Sequence, residues 1–340
     1  MKIAIDAMGG DFAPNSVLEG TAQALEKYRG FTVKLVGNVP EMTPLLKKYG
    51  LMENPRVELV HADQFVKMDD PSTIAIRAKK NSSVTVAAGI VGNGEADALV
   101  TIGHTGAAVA ATMIKMRLLP GVDRPAIAVV MPGIDGKVLF LDAGANVDAK
   151  PENLAQFAIM GELYSRLTLG VENPKIGLLS VGDEDIKGND VTKETFKILC
   201  KMPINFIGNV EGKDIFTQKA DVVVCDGFVG NAILKSCEGL AKAAMFWMKK
   251  AFTKNPLRIT TAILAQKAFA ELKEMGDSEE YGGAPLLGIN GICIIGHGAS
   301  SAKGVRNAIR VASELVEKDL NRKILERLKE SNILLTHKNK

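Results

Sequence analysis

Short runs of apolar residues alternate with longer amphipathic stretches along the chain. The runs are bounded by glycine or polar residues, which is typical of buried strands. We predict strands at Lys2–Asp6, Thr32–Gly37, Arg56–His61, Asp97–Ile102, Ala126–Met131, Lys137–Asp142, Lys175–Ser180, Ile204–Gly208, Asp221–Asp226 and Gly291–Ile295.

The stretches between these strands repeat apolar residues at helical spacing. They predict helices near residues 15–29, 40–49, 83–93, 105–117, 151–169, 190–201, 229–252, 257–275 and 300–328. This alternation indicates an α/β fold with a largely parallel, helix-covered sheet. We predict a single α/β domain over residues 1–330, with a protruding helical hairpin at 229–276 and a polar tail at 331–340.

Composition argues against several function classes. A net charge of +3 and an aromatic content of 5% are too small to suggest nucleic-acid binding. The cysteines are scattered, so we expect neither a metal site nor a disulfide framework. The chain opens on a strand rather than a signal peptide, and its longest uncharged run, Tyr281–Ala302, is broken by glycines. We therefore expect a cytoplasmic protein.

Glycine-rich polar segments follow six of the predicted strands. Ligands of open α/β sheets bind outside the carboxyl ends of the strands, so these segments are expected to converge on one cleft. Glycines there let the backbone approach a ligand closely. The segments supply the candidate binding residues Asp6, Gly9, Gly10, Gly103, His104, Thr105, Gly106, Asp142, Asn146, Asp226, Gly230, His297, Gly298 and Ser300.

Two further residues are candidates for chemistry within these segments. Lys187 is the one cation in the acidic loop "GDEDIKGND", where a solvated surface lysine is the ordinary alternative. Asn231 follows "DGFVG" at a predicted helix start, where it could also be an N-cap. Cys225 lies in a valine-rich strand, which is typical of a small buried hydrophobe rather than a nucleophile. The pattern thus indicates an anion cleft in which the anion itself could be the nucleophile.

Seven motifs in this order carry a family resemblance. They are "IDAMGGDFAP", "DPSTIAIRAKKNSSV", "GHTGA", "LDAGANVDAKPENLAQFA", "GDEDIKGND", "DGFVGNAILK" and "GHGASSAKGV". Over about residues 1–328 the chain resembles the bacterial phosphate acyltransferases, or acyl-acyl-carrier-protein:phosphate transacylases. The family usually has Asn where this chain has His104, which leaves the role of that position open.

The resemblance implies both a fold and a reaction. The family is similar in fold to isocitrate and isopropylmalate dehydrogenases and to phosphotransacetylases, and it forms homodimers. Its members pass a fatty acyl group from acyl carrier protein to inorganic phosphate. The acyl phosphate then serves glycerol-3-phosphate acyltransferase in phospholipid synthesis. The family's catalytic lysine and asparagine correspond to Lys187 and Asn231, and the chemistry requires no cofactor or metal.

The segment from Asn231 to Met275 contains a long helical pattern with an apolar stripe and a cluster of basic residues. It predicts two helices broken at Asn255–Pro256, with basic residues around the break. In the second helix one apolar stripe contains Leu257, Leu264, Ala268, Leu272 and Met275. Such a hairpin could pack in the core or in a dimer. It could also be a tip for an anionic membrane surface, which the resemblance favours because family members associate with membranes peripherally. The basic patch would also suit the acidic acyl carrier protein.

Three other functions stay open on the sequence. A dehydrogenase of the similar fold lacks support because no dinucleotide fingerprint is present. A non-catalytic protein that binds lipid or acyl carrier on the same scaffold is favoured only by the His104 departure. A transacylase that passes the acyl group through Cys225 would require that thiol to be reactive.

Overall fold

One sheet runs through the molecule. The computed structural model describes residues 1–67, 70, 76, 78–275 and 278–331, and eleven strands within them form this sheet. The strands are β1 (Lys2–Asp6), β2 (Thr32–Gly37), β3 (Val57–His61), β4 (Ala98–Thr101), β5 (Ala126–Pro132), β6 (Lys137–Leu141), β7 (Ile176–Leu179), β8 (Phe206–Val210), β9 (Val222–Val224), β10 (Ala284–Leu287) and β11 (Ile292–Ile295).

Helices cover both faces of the sheet. They are α1 (Asn15–Lys27), α2 (Val39–Lys48), α3 (Ser83–Gly92), α4 (Thr105–Lys115), α5 (Pro151–Tyr164), α6 (Asp190–Leu199), α7 (Gly227–Phe252), α8 (Pro256–Leu264), α9 (Gln266–Met275), α10 (Ala302–Glu317) and α11 (Leu320–Glu330). Side chains of β1 alternate between two cores, with Ile3 and Ile5 in one and Ala4 in the other. The predicted α/β class is confirmed.

The strand order is β3-β2-β1-β4-β11-β10-β5-β6-β9-β7-β8. The blocks β3-β2-β1-β4-β11 and β6-β9-β7-β8 are each parallel. Between them, β10 is antiparallel to β11 and β5, and β5 is antiparallel to β6. Three successive reversals make the two blocks point in opposite directions.

The structure departs from the predicted elements in a few places. Strand β10 falls in the run predicted as loops, because it is only four residues long, contains a proline and is flanked by glycines. The helix predicted over 257–275 is divided at Ala265 into α8 and α9. The helix predicted over 300–328 is divided at Asp319, whose φ of 53° interrupts helical geometry. Residues 332–340 of the tail predicted at 331–340 lie outside the described residues, as do residues 68 and 69 and residues 71–75 and 77 of the "DPSTIAIRAKKNSSV" motif.

Candidate active site

A cleft of about 380 Å³ lies between the start of α4 and one face of α7. Its floor is apolar and comes from the central strands β5, β10 and β11. Its rim is polar and collects groups from helix starts on both sides. The floor includes Ile127, Val129, Ala284 and Ile295, and the rim includes Thr105, Gly106, Asn231, Lys235, Glu238, Glu279, Tyr281, His297 and Ser300.

The start of α4 presents backbone N–H groups to this cleft. Strand β4 ends at Thr101, and the glycine turn delivers Thr105 and Gly106 to the cleft rim. His104 is the N-cap, and its Nδ1 accepts a hydrogen bond of 3.3 Å from Ala107 N–H. The first N–H groups of a helix have no partner within the helix and favour anions. The His104 cap satisfies the third of these groups, and among the described residues those of Thr105 and Gly106 have no partner and are left for a ligand.

The capping contact explains the histidine at position 104. An asparagine there would cap with its side-chain oxygen, and the imidazole Nδ1 supplies an acceptor in the same role. Because Nδ1 accepts, the ring N–H is at Nε2. His104 therefore preserves the helix start rather than disrupting it.

Asp142 organises the segment after β6. Its carboxylate is fully buried and accepts from the backbone N–H groups of Ile127 (2.9 Å), Gly144 (3.1 Å), Ala145 (3.0 Å) and Asn146 (2.8 Å). The Asn146 side chain donates a further bond of 2.8 Å. Burial raises the pKa of Asp142 above its ordinary value, and these donors oppose the rise. Asp142 and Asn146 thus position the cleft wall at Ala143 and Gly144.

The first turn of α7 packs tightly against this wall. Asp226 caps the helix, since its carboxylate accepts from Phe228 N–H at 2.8 Å and from Ala149 N–H at 3.0 Å. A Cβ atom added at Gly230 would lie 1.8 Å from the Asp142 carbonyl oxygen, so only glycine fits. The side chain of Asn231 lies beside Gly144 and opens into the cleft. The sequence GFVGN thereby places an amide donor at the rim.

The start of α10 forms another part of the rim. Ser300 is buried and lines the cleft, whereas His297 is exposed and its Nδ1 accepts from Ala299 N–H at 3.2 Å. Glu279 already occupies this helix start, because its carboxylate accepts from Ser301 N–H and from the Ser301 hydroxyl, each at 2.6 Å. This helix start therefore carries a negative charge, unlike the start of α4.

Another group of predicted residues lines a small cavity of about 10 Å³ beside the cleft. Asp6, Gly9, Gly103 and His104 contribute to it. Asp6 is buried and accepts a hydrogen bond of 2.8 Å from the Thr101 hydroxyl. Burial raises the pKa of this carboxyl. These residues support the β4–α4 turn from behind.

The loop after β1 also meets the start of α10. Asp11 N–H donates to the Gly298 carbonyl oxygen at 2.8 Å. Gly10 has a φ of 102°, and a Cβ atom there would lie 2.9 Å from the same oxygen. Gly10 and Gly298 therefore fix the contact between two loops and do not line the cleft.

Lys187 lies elsewhere. It belongs to the exposed loop after β7, and two strands, β6 and β9, separate β7 from β5 under the cleft. Its backbone N–H donates to the Glu184 carbonyl oxygen, which also accepts from the Asn209 side chain. Of the six predicted segments, four reach the cleft. The loop after β1 and the Lys187 loop do not.

The sequence interpretation missed several rim residues. Lys235 and Glu238 follow Asn231 by four and seven positions, which places all of them on one face of α7. This helical spacing from Asn231 is the sequence feature that could have identified Lys235 and Glu238. Glu279 and Tyr281 lie in a short turn beyond the helical segment, where nothing in the pattern marked them.

Cys225 is not available as a nucleophile. It is 3% exposed, and its Sγ donates to the Asp142 carbonyl oxygen at 3.4 Å. Burial, with Asp142 and Asp226 nearby, raises the pKa of its thiol well above the ordinary value. Since the thiolate is the reactive form, this thiol is unreactive. The described residues also hold no cluster of three or more His, Cys, Asp or Glu that could bind a metal.

Beyond the cleft, residues 239–275 form an extension that we call the arm. None of residues 239–272 is buried. Pro256 starts α8 after the Asn255 N-cap, as predicted, and Phe252 contacts Phe269 edge-on at 4.9 Å between ring centroids.

The leucines of the apolar stripe predicted on the arm face solvent. Their exposed fractions are 77% for Leu257, 83% for Leu264 and 53% for Leu272. The side chain of Met275 lies outside the described residues, among which no helix is long and apolar enough to cross a membrane.

Comparison with known proteins agrees with this geometry. A family model described as "Fatty acid synthesis protein" matches residues 1–323. A phosphate acyltransferase of Leptospira biflexa is 46% identical over 342 residues, with 100% of both chains covered. One of Desulfitobacterium hafniense is 48% identical, covering 93% of this chain and 94% of its own. A phosphotransacetylase structure from Streptococcus pyogenes shares the fold, with a TM-score of 0.64, 17% identity, and coverage of 93% of this chain and 94% of that chain. The chain therefore belongs to the fatty acid synthesis protein family.

Proposed function

We propose that the chain is a phosphate acyltransferase, which moves a fatty acyl group from acyl-acyl carrier protein to inorganic phosphate. One observation carries this proposal: the N–H groups at the start of α4, which no described residue occupies, and the Asn231 amide border one cleft with an apolar floor. The N–H groups suit phosphate, the Asn231 amide suits a developing oxyanion, and the apolar floor suits an acyl chain. The names of the relatives support this reaction and do not favour a dehydrogenase.

The reaction needs no protein nucleophile. A phosphate oxygen attacks the thioester carbonyl carbon, and a C–O bond forms while the carbonyl oxygen becomes an oxyanion. The Asn231 side-chain amide donates to this oxyanion, where a preorganised donor has most effect. Collapse of the intermediate breaks the C–S bond, and the proton of hydrogen phosphate passes to the departing pantetheine thiolate. The products are acyl phosphate and free carrier thiol.

Lys187 is proposed as a second catalytic group on the family resemblance. Its loop lies outside the cleft, so this role requires the loop to move when acyl carrier protein docks. Lys187→Ala should then lower kcat, whereas Lys193→Ala, on the exposed side of the following helix, should not. Equal rates for these two variants would remove Lys187 from the mechanism.

The overall reaction is tested with palmitoyl-acyl carrier protein and purified protein, with and without phosphate. Carrier thiol is followed continuously, and acyl phosphate is trapped with hydroxylamine at neutral pH. Both products should appear only with phosphate. Binding of the carrier without any turnover would instead support the non-catalytic alternative.

The arm is proposed as the membrane tip. Exposed Lys249, Lys250, Lys254 and Arg258 lie around the α7–α8 break, next to exposed Leu257. This combination of basic and apolar side chains suits an anionic membrane surface. The enzyme would then act in the cytoplasm, peripherally bound, close to the glycerol-3-phosphate acyltransferase that uses its product.

Vesicle flotation tests the membrane tip. Vesicles containing phosphatidylglycerol should bind the wild type and release it at high salt, and they should not bind Leu264→Glu/Leu272→Glu. The matched control, Thr260→Glu/Gln266→Glu, adds equal charge to exposed polar positions of the same helices and should retain most binding. Full binding by the leucine variant would reject the tip.

The outer part of α7 is proposed as a homodimer surface. Phe246 and Trp247 are 61% and 60% exposed, and Leu240 is 64% exposed. Several large apolar side chains exposed on one helix segment suit an interaction surface. Light scattering should give a dimer mass for the wild type and a monomer mass for Trp247→Glu. A wild-type monomer would contradict this assignment.

A further inference from the structure

We propose that Lys235 binds the phosphate substrate and that Glu238 competes with phosphate for it, an inference that rests on the proposed function. Lys235 lies one helical turn after Asn231, on the same face of α7, and lines the cleft. It is the only lysine or arginine among the cleft-lining residues in the described part of the chain. Phosphate in this cleft would therefore meet one ammonium group.

Charge at the rim decides where phosphate can bind. The start of α10 is occupied by the Glu279 carboxylate, which would repel a second anion. The start of α4 is capped by the His104 Nδ1 acceptor, and within the described part of the chain the Thr105 and Gly106 N–H groups are free for a ligand. Phosphate at α4 can face these groups on one side and Lys235 on the other.

Glu238 holds the Lys235 ammonium in the absence of substrate. The two side chains form an ion pair at 2.9 Å, and they are 53% and 32% exposed. Exposed ion pairs contribute little stability, and a lysine three residues before a glutamate is not the favoured orientation on a helix. Phosphate carries up to twice the charge of a carboxylate and can displace Glu238. The pair thus keeps the ammonium at the rim and yields it to substrate.

Steady-state kinetics on the full chain test this exchange. Lys235→Gln should raise the KM for phosphate about 10-fold, the scale of one charge-assisted hydrogen bond, and Lys235→Arg should restore part of it. Glu238→Gln should lower the phosphate KM about 2-fold to 3-fold because the competitor loses its charge. Lys242→Gln, two turns further along the same helix and outside the cleft lining, is the matched control and should leave the KM unchanged.

Two results would overturn the inference. The first is a phosphate KM for Lys235→Gln equal to that of Lys242→Gln. The second is a rise in the KM for acyl-acyl carrier protein alone, which would assign Lys235 to the phosphodiester of the carrier's prosthetic group.

A binding readout separates this inference from the proposed function. Without any acyl donor, millimolar phosphate should raise the Tm of the wild type and of Lys242→Gln, but not that of Lys235→Gln. Such a pattern supports the phosphate site even if turnover is absent. Turnover that depends on phosphate, together with equal Tm shifts in all three proteins, rejects Lys235 and leaves the proposed function intact.

Discussion

Helix α7 contributes to both the cleft and the arm, and its two ends are packed very differently. At the start of α7, Gly230 packs on the Asp142 carbonyl and Asn231 lies beside Gly144, so the backbone of this turn has one position. From residue 239 outward nothing up to 272 is buried, and large apolar side chains face solvent. The fixed backbone at the cleft suits catalysis, and the exposed apolar surface of the arm suits contact with another protein or a membrane.

This contrast teaches where substitutions should act. Buried polar networks are costly to break because the remaining donors lose their partners. Exposed side chains on the arm contribute little to folding, since they pack on few neighbours. Changes in the cleft should therefore cost stability or rate, and changes in the arm should cost neither in solution.

The largest effect should come from Asp142→Asn. The amide nitrogen cannot accept from the backbone donors that surround the carboxylate, and each buried donor left unpaired costs about 1–3 kcal/mol. We expect the free energy of unfolding to fall by about 3–5 kcal/mol, measured by urea denaturation. Asp148→Asn, an exposed neighbour, is the control, and equal stability of the two variants would contradict the role of Asp142.

Asn231→Ala should leave the fold intact and lower kcat. Asn231 is exposed at the cleft rim, so its removal costs little stability. Loss of one oxyanion donor typically lowers kcat about 100-fold to 1000-fold. The measurement is the phosphate-dependent release of carrier thiol, with Ser236→Ala on the same helix as control. A decrease below 3-fold would place the oxyanion elsewhere.

His104 provides a smaller effect at the start of α4. His104→Ala removes the N-cap and should lower the free energy of unfolding by about 1 kcal/mol. His104→Asn supplies another capping acceptor and should restore most of that loss. If both variants are equally destabilised in urea, the capping explanation of this histidine fails.

The smallest effect is expected in the arm. Leu264→Glu/Leu272→Glu should change the free energy of unfolding by less than about 0.5 kcal/mol, because both leucines are exposed. Its turnover with soluble acyl carrier protein should equal that of the wild type. A loss of turnover or of stability would show that the arm and the cleft are not separable.

Much of the fold could be predicted from the sequence, because buried strands and amphipathic helices leave clear periodic patterns. Strands such as Lys2–Asp6 and Thr32–Gly37 were predicted to the residue. The direction of strands leaves no such pattern. The antiparallel β10 and the β5–β6 hairpin reverse the second block, yet the loops after β6 and β9 still meet those after β4 and β11 at the cleft. Lys187 lies away from the cleft because its strand, β7, is separated from β5 by β6 and β9.

The candidate site was predictable only in part, for a related reason. Gly230 and Asn231 lie in a motif whose glycines reflect close backbone contacts. Lys235 and Glu238 look like ordinary solvated helix residues in the sequence, and only the fold turns that face of α7 toward the cleft. Glu279 reaches the start of α10 across 22 positions of sequence, a contact that no local pattern reveals.

The most direct measurement is phosphorus NMR of the wild type with palmitoyl-acyl carrier protein and phosphate, with carrier thiol assayed on the same sample. Transfer to phosphate predicts that an acyl phosphate resonance grows as inorganic phosphate declines, in equal amount to the thiol released. Thiol release with an unchanged phosphate resonance would mean that water is the acceptor. The protein would then be a thioesterase, and the central claim of this account would be wrong.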